Sequence, residues 1–477
     1  MNKSSLKFEK ELSNYSYFKL VFIMKTYDVI IIGGGPAAIV TGLTVKKFFK
    51  DKSVLMIKEE ADGLVPCGIP YIFHHLGNDA DKNKMGPKPF VDLGGEVIVK
   101  TVTKVDKSEK IVTIDSGEEF AYNKLVFATG SVPVVPRSIP GYDLENVFYI
   151  KKSFNYIKEL AGQVSGFKNI VIVGGGFIGA EVAEQLAAEN MNVTLVESEA
   201  TCFSRAFSPE LSKLATEALS NSGVKVMTSS MVKEIVGENK KVQEVVLSDG
   251  TKITTDAVIL SIGYRANTQL AKDAGLELNR FGDIHVDNYG RTSAKNICAV
   301  GDCAQTFGFL TGRSDMIKLA STATAEARVL GHNIFGIRIK KCTSGTLGVF
   351  STEINGLSMA AAGANDQSAG EACVEIISAK FTAPDRHPGG LPGGSNMTVK
   401  LYASPVDGSI LGGEAWGGKS VGEVINIISM AIQKNITVYE LVSFQFGTHP
   451  LLTPSPVVTP IIRAADDIIY KMLQPNS

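Results

Sequence analysis

The stretch NIVIVGGGFIGAEVAEQLAAENMNVTLVESE, residues 169–199, reads as an apolar strand, a glycine turn, an amphipathic helix and a second strand ending in an acid. Gly174, Gly176 and Gly179 stand at full GxGxxG spacing, with Phe177 and Ile178 between the last two. A βαβ unit of this kind holds a dinucleotide. The first glycine permits the tight turn, the second lets backbone approach a pyrophosphate, and the third lets helix and strand pack closely, while the helix N-terminus faces the phosphates. Glu197, closing the second strand, suits the two ribose hydroxyls of NADH and repels a 2′-phosphate. Ser198 and Glu199 bring no positive charge and Arg205 lies nearby, so NADH is expected and NADPH stays open.

The same pattern stands about 140 residues earlier, in TYDVIIIGGGPAAIVTGLTVKKFF (26–49). An apolar strand at 29–32 leads into Gly33, Gly35, Pro36 and Ala37, with Ala38 at the third, helix-packing position. Alone, this copy reads equally as an ordinary strand-to-helix turn. Its second strand, SVLMIKEE (53–60), puts Lys58 where the ribose acid is expected. Either Glu59 takes the ribose through a one-residue slip or that contact is altered. Two cradles in one chain suggest two dinucleotides passing a hydride, most economically from nicotinamide to a flavin. The alternative is a duplicated fold with one live site. Weighing against it, KLVFATGSVP (124–133) and VILSIGYRANT (258–268) place Gly130 and Gly263 at matching points after each cradle. NICAVGDCA (296–304) is a further apolar strand ending in Gly301 and Asp302, a carboxylate suited to a sugar-like chain.

At 477 residues the chain has room for roughly three domains with real cores. Its 48 basic and 49 acidic residues leave a formal charge of -1, and no basic cluster suggests nucleic acid. Small polar substrates are the expected partners. Six irregularly spaced cysteines argue against a disulfide framework or a zinc site and for a reducing, cytoplasmic setting. No apolar run approaches the roughly 20 residues of a membrane span. Residues 1–23, ahead of Met24 and KTYDVIIIGGG, read as a flexible extension or an upstream start.

With these segments in order, the sequence resembles the FAD-dependent pyridine nucleotide-disulfide oxidoreductases from about Met24 to its end. The resemblance implies an α/β fold of two Rossmann-like dinucleotide-binding domains plus a C-terminal α+β dimerisation domain. It sets an FAD domain at 24–140 and 265–338, an NAD(P)H domain at 141–264 and an interface domain at 339–477. In that family the first cradle holds the ADP half of FAD, the segment matching Ala128, Thr129 and Gly130 lies against FAD, and the residue matching Asp302 binds the ribityl chain. The second cradle takes NAD(P)H. Phe177 matches an aromatic gate over the nicotinamide site and Glu181 a glutamate near the flavin. MIKLASTATAEARVLGHNIFG (316–336) matches a segment whose helix, opening near Leu319 and Ala320, points its N-terminus at the flavin, where a helix dipole stabilises negative charge. GTLGVFSTEINGLSMAAAG (345–363) and VKLYASPVDGSILGGEAWGG (399–418) read as interface-domain strands, and SVGEVINIISMAIQKNITVYEL (420–441) as an amphipathic helix. The family's homodimer shares residues between its active sites.

LVPCGIPYIF (64–73) places Cys67 where the family's redox cysteine stands, near the start of a helix beside the flavin. Many members carry CxxxxC; here the second position is Ile72, which resembles the single-cysteine branch of coenzyme A-disulfide reductases, persulfide and polysulfide reductases, and NADH oxidases and peroxidases. A thiolate is the nucleophile, and a helix N-terminus lowers thiol pKa; the alternative reading is a buried small hydrophobe. Cys298 and Cys303 also show CxxxxC spacing, but flanking Asp302 on a buried strand they read as structural. His449, in FGTHPLLTPSP (446–456), resembles the HP histidine that crosses the family's dimer interface as acid-base catalyst, yet the orienting glutamate five residues on is Pro454. His74 and His75, on the same helix as Cys67, read as surface or packing residues. DRHPGGLPGG (385–394) reads as a connector between strands, or as part of a substrate entrance.

The expected function is NADH-dependent reduction of a small-molecule disulfide, persulfide or polysulfide through Cys67 and bound FAD. An NADH oxidase or peroxidase cycling a cysteine sulfenic acid is the alternative. The family's peroxidases and oxidases carry a histidine soon after the first glycine turn, and GGGPAAIVTG (33–42) has none. A flavin-based NADH sensor or electron-transfer protein is a third reading, and it does not need Cys67.

Overall fold

The computed structural model describes residues 24–341 and 345–474. The extension expected at residues 1–23, and Cys342, lie outside them. Strand Lys25–Ile32 is longer than its apolar core, and its last four residues are buried. It pairs in parallel with Val54–Lys58 on one side and Glu119–Phe127 on the other. Glu96–Val99 and Ile297–Ala299 extend the parallel sheet, and Val102–Asp106 and Ile111–Ile114 add an antiparallel edge. Strands so uniformly apolar need cover on both faces, and helices Pro36–Phe48 and Ala320–Asn333 pack together over one of them.

A second sheet is wholly parallel: Val147–Tyr149, Ala257–Leu260, Asn169–Val173, Asn192–Val196 and Lys225–Met227, in that order. A three-stranded antiparallel meander, Val232–Glu238 to Lys252–Thr254, follows it in the chain. The segments after the two cradles, which read alike in the sequence, meet: Ser131–Pro133 pairs antiparallel with Tyr264–Ala266 and joins the two nucleotide-binding regions.

The C-terminal sheet is antiparallel, in the order Val349–Ile354, Leu357–Gly363, Ile410–Gly417, Asn396–Ala403 and Ile377–Pro384. Helices Val421–Gln433 and Pro460–Leu473 pack on it. The α/β class with two parallel dinucleotide folds and a third α+β unit is therefore the observed one. The helix expected across 420–441 is instead two. Val421–Gln433 stops at Lys434, Asn435 takes a left-handed φ of 53°, and Thr437 opens Val438–Leu441 with a reciprocal capping box to Glu440.

Candidate active site

The two cradles share one construction. Gly33 and Gly174 adopt φ of +128° and +106°, and a Cβ at either would lie 2.1 Å from the Ala128 carbonyl oxygen or 2.6 Å from that of Ser261. Only glycine meets both demands. Gly35 and Gly176 face open space. Helices Pro36–Phe48 and Phe177–Ala188 begin with no side-chain cap and no acid in the first turn, whereas Ser153 and Ser208 cap Phe154–Val164 and Pro209–Asn221. Both cradles thus keep helix N-terminal N–H groups for phosphate, and a dinucleotide fits each. At the third position a Cβ on Gly179 would sit 1.9 Å from Gly174 O, while the methyl of Ala38 is accommodated, fully buried.

Strand register settles the first cradle's odd position. Ile32 pairs with Ile57 as Val173 pairs with Val196, so Lys58 stands where Glu197 stands. Gly34 meets the Lys58 side chain just as Gly175 meets that of Glu197. There is no one-residue slip, and Glu59 is exposed one residue further on. The Lys58 ammonium, pushed below its usual pKa by burial, reaches Ala61 O at 3.1 Å. Glu197 is fixed from both sides: one carboxylate oxygen accepts from Gly175 N–H at 2.5 Å, the other from Glu199 N–H at 2.8 Å and Ser198 Oγ at 3.0 Å. Arg205 is exposed.

Cys67 lies in a three-residue 3-10 turn, Pro66–Gly68, followed by a second, Pro70–Phe73. The single helix expected here is interrupted at Pro70, which has no N–H to donate to the preceding turn. The turn is held from outside: buried Asn83 donates to Val65 O at 3.0 Å, and a Cβ on Gly68 would lie 2.1 Å from its Oδ1. Cys67 is exposed, while Ile72 is fully buried with Leu64, Ile69 and Phe73. His74 Nδ1 meets Glu189 Oε1 at 2.6 Å and His75 Nδ1 meets Gln185 Oε1 at 2.5 Å, a packing role against the Phe177–Ala188 helix and its end.

The pKa of Cys67 is shifted in the direction opposite to the expected one. Although the residue is exposed, partial desolvation by the protein around it, then the Glu181 carboxylate, push its thiol above the usual range, and Lys152 opposes them. Glu181 is itself buried and raised to about 7, with Thr352 Oγ1 donating to its Oε1 at 2.8 Å. Asp302 Oδ2 accepts from Ser131 Oγ at 2.7 Å and Lys152 Nζ at 2.6 Å, and Lys152 lies over the Tyr264 ring. Thus Cys67, Glu181 and Asp302, far apart in the chain, share one electrostatic neighbourhood with Lys152. The sequence offered no signal for Lys152, Asn83 or Thr352, which belong to no motif.

Phe177 packs against Phe350 with ring planes 15° apart, and against Phe203 and Phe207. Thr129 Oγ1 donates to Asn267 O at 2.6 Å, and Gly263 and Gly301 take left-handed φ. Leu319 ends the extended lead into helix Ala320–Asn333, and Lys318 pairs with buried Asp283 at 2.6 Å. Cys298 and Cys303 are buried free thiols, and Cys303 Sγ lies 3.4 Å from Phe127 O and Val300 O. His449 is exposed on the loop before helix Pro460–Leu473.

Residues 27–327 match the pyridine nucleotide-disulphide oxidoreductase family, and residues 349–459 match its dimerisation domain. The chain belongs to this family. A relative named NADH oxidase, from Methanocaldococcus jannaschii, is 32% identical over 93% of this chain and 99% of its own length. A Pyrococcus horikoshii relative named NAD(P)H coenzyme A polysulfide/persulfide reductase is 30% identical over 82% of this chain and 87% of its own. Among solved structures, an NAD-dependent persulfide reductase from A. fulgidus superposes with a TM-score of 0.85 at 29% identity, covering 93% of this chain and 83% of the other. The family implies flavin and NAD(P)H use, so this oxidoreductase has two cradles for two nucleotides. Among the described residues no helix is long and apolar enough to cross a membrane.

Proposed function

We propose that this oxidoreductase uses NADH to reduce a low-molecular-weight disulfide, persulfide or polysulfide, of the coenzyme A-disulfide kind, with Cys67 as its one redox thiol. The observation that carries this reading is the pair Cys67 and Ile72: an exposed sulfur, and a fully buried hydrocarbon where a resolving thiol would stand. The second sulfur therefore comes with the substrate. FAD in the first cradle and NADH in the second supply a hydride and then the electron pair that reduces sulfur. Glu197, held by backbone N–H groups, selects NADH over NADPH, and Lys58 replaces the acid toward the FAD ribose, with Glu59 beside it. Asp302, Gly301 and the Ala128–Thr129–Gly130 turn orient the rest of FAD, with Leu319 and Ala320 opening the helix aimed at it.

Cys67 thiolate attacks one sulfur of R–S–S–R, forming Cys67–S–S–R and releasing RS⁻, which takes a proton to leave as RSH. Two electrons and a proton then return Cys67 to thiolate and free the second RSH. Glu181 and Lys152 set the sulfur's charge from opposite sides. The protein works as a homodimer in which His449 of a second copy reaches this sulfur. The M. jannaschii relative's name favours a second reading, reduction of oxygen through a Cys67 sulfenic acid.

Anaerobic reduction with NADH, followed by rapid mixing with coenzyme A disulfide, coenzyme A persulfide, polysulfide, peroxide or oxygen, ranks these acceptors by reoxidation rate. A sulfur acceptor is expected to lead. If only oxygen or peroxide reoxidises the enzyme at a useful rate, the sulfur-reductase reading fails and the oxidase reading replaces it.

A further inference from the structure

The DRHPGGLPGG loop joins strands Ile377–Pro384 and Asn396–Ala403, and nothing above uses it. It is anchored at its base, where buried Asp385 accepts from Ser395 N–H at 2.8 Å. From there it reaches the loop that carries His449. The backbone N–H of His387 donates to Pro450 O at 3.1 Å, and its ring Nδ1 lies 3.0 Å from Thr453 O. A carbonyl oxygen only accepts, so Nδ1 of His387 carries the proton.

Thr453 passes this constraint to His449. Its Oγ1 accepts from His449 N–H at 3.0 Å, and the N–H groups of Leu452 and Thr453 both donate to His449 O at 3.0 Å. Within the closed turn, Leu451 N–H donates to His449 Nδ1 at 3.3 Å. A backbone N–H only donates, so here Nδ1 is the bare nitrogen and Nε2 carries the proton. The two histidines are thus held in opposite tautomers. A carboxylate beside Nδ1 of His449 would impose the reverse, Nδ1–H with Nε2 free to take a proton; the position where that carboxylate is expected is Pro454.

We propose that His387 is a positioning residue for His449: by clamping Pro450 and Thr453 it holds the 449–453 turn so that His449 presents Nε2–H, a hydrogen-bond donor to a sulfur anion instead of a base. What the donor does rests on the sulfur-reductase reading; the clamp and the two tautomers do not. A donor at that place stabilises the thiolate that leaves when Cys67 attacks, as an oxyanion-hole donor stabilises developing charge.

The test uses the full-length, FAD-loaded protein and two variants. His387→Asn keeps a side-chain N–H for Thr453 O; His387→Ala does not. Reoxidation of the NADH-reduced enzyme by coenzyme A disulfide is expected to slow about tenfold or more in His387→Ala and to return to within about threefold of wild type in His387→Asn. Flavin reduction by NADH stays unchanged in both. In parallel, long-range proton–nitrogen correlation spectra of histidine-labelled protein should show His387 as the Nδ1–H tautomer and His449 as the Nε2–H tautomer. Wild-type reoxidation in His387→Ala, no rescue in His387→Asn, or an Nε2–H tautomer at His387 each overturns the proposal. If no sulfur acceptor reoxidises even the wild-type enzyme, the sulfur-reductase reading falls, and the spectra still decide the clamp.

Discussion

At Cys67 the local field works against the thiolate. Partial desolvation and the negative charge of Glu181 raise the thiol, and Lys152 supplies the opposing charge. Removing the Glu181 charge therefore lowers the Cys67 pKa, and Glu181→Gln is expected to speed iodoacetamide alkylation of Cys67 roughly threefold at neutral pH. An unchanged or slower rate would contradict that sign. The same residue couples stability to pH. Its folded-state pKa of about 7 exceeds the ordinary 4.5, so its contribution is complete below pH 4.5 and is lost as pH rises through 7. The loss is on the order of 3 kcal/mol. Glu181→Gln removes this slope, so the variant's melting temperature relative to wild type should be higher at pH 8 than at pH 5.

At the scale of elements, the glycine spacing of the second cradle made its turn and helix legible, because Gly174 and Gly179 answer steric demands that no other residue meets and Gly176 leaves its face open. Gly179 is the strictest case, with a Cβ 1.9 Å from Gly174 O. Gly179→Ala should push the helix off the strand and weaken NADH binding about tenfold or more while FAD stays bound, read by titration of the flavin-loaded protein with NADH. Equal NADH affinity would contradict the close-packing account. At Cys67 the helix that the resemblance implies gives way to two 3-10 turns, because Pro70 interrupts it. Likewise the break inside 420–441 was written in Asn435 and the Thr437–Glu440 box, but the strong apolar period on either side masked it. Lys58 was legible as an anomaly. Only the strand register shows that it occupies the acid's own place.

Across the whole molecule, the cradles and their flanking strands followed from local patterns, whereas the joints between units did not. Thr352 bonds Glu181, Glu184 accepts from Asn355 N–H, and buried Glu414 accepts from Ser208 N–H. These contacts tie the second nucleotide-binding unit to the C-terminal sheet across about 170 to 206 residues of chain. No spacing rule reaches that far, since such pairs exist only once three separately specified units dock. The molecule as a whole combines two nucleotide cradles with the exposed thiol of Cys67, and its proposed work divides into NADH oxidation and sulfur reduction. Cys67→Ser separates the two most directly. NADH should still reduce the bound flavin at the wild-type rate, while reoxidation by coenzyme A disulfide or polysulfide should fall about a hundredfold or more. A Cys67→Ser protein that sulfur acceptors reoxidise as fast as wild type would contradict the single-thiol account.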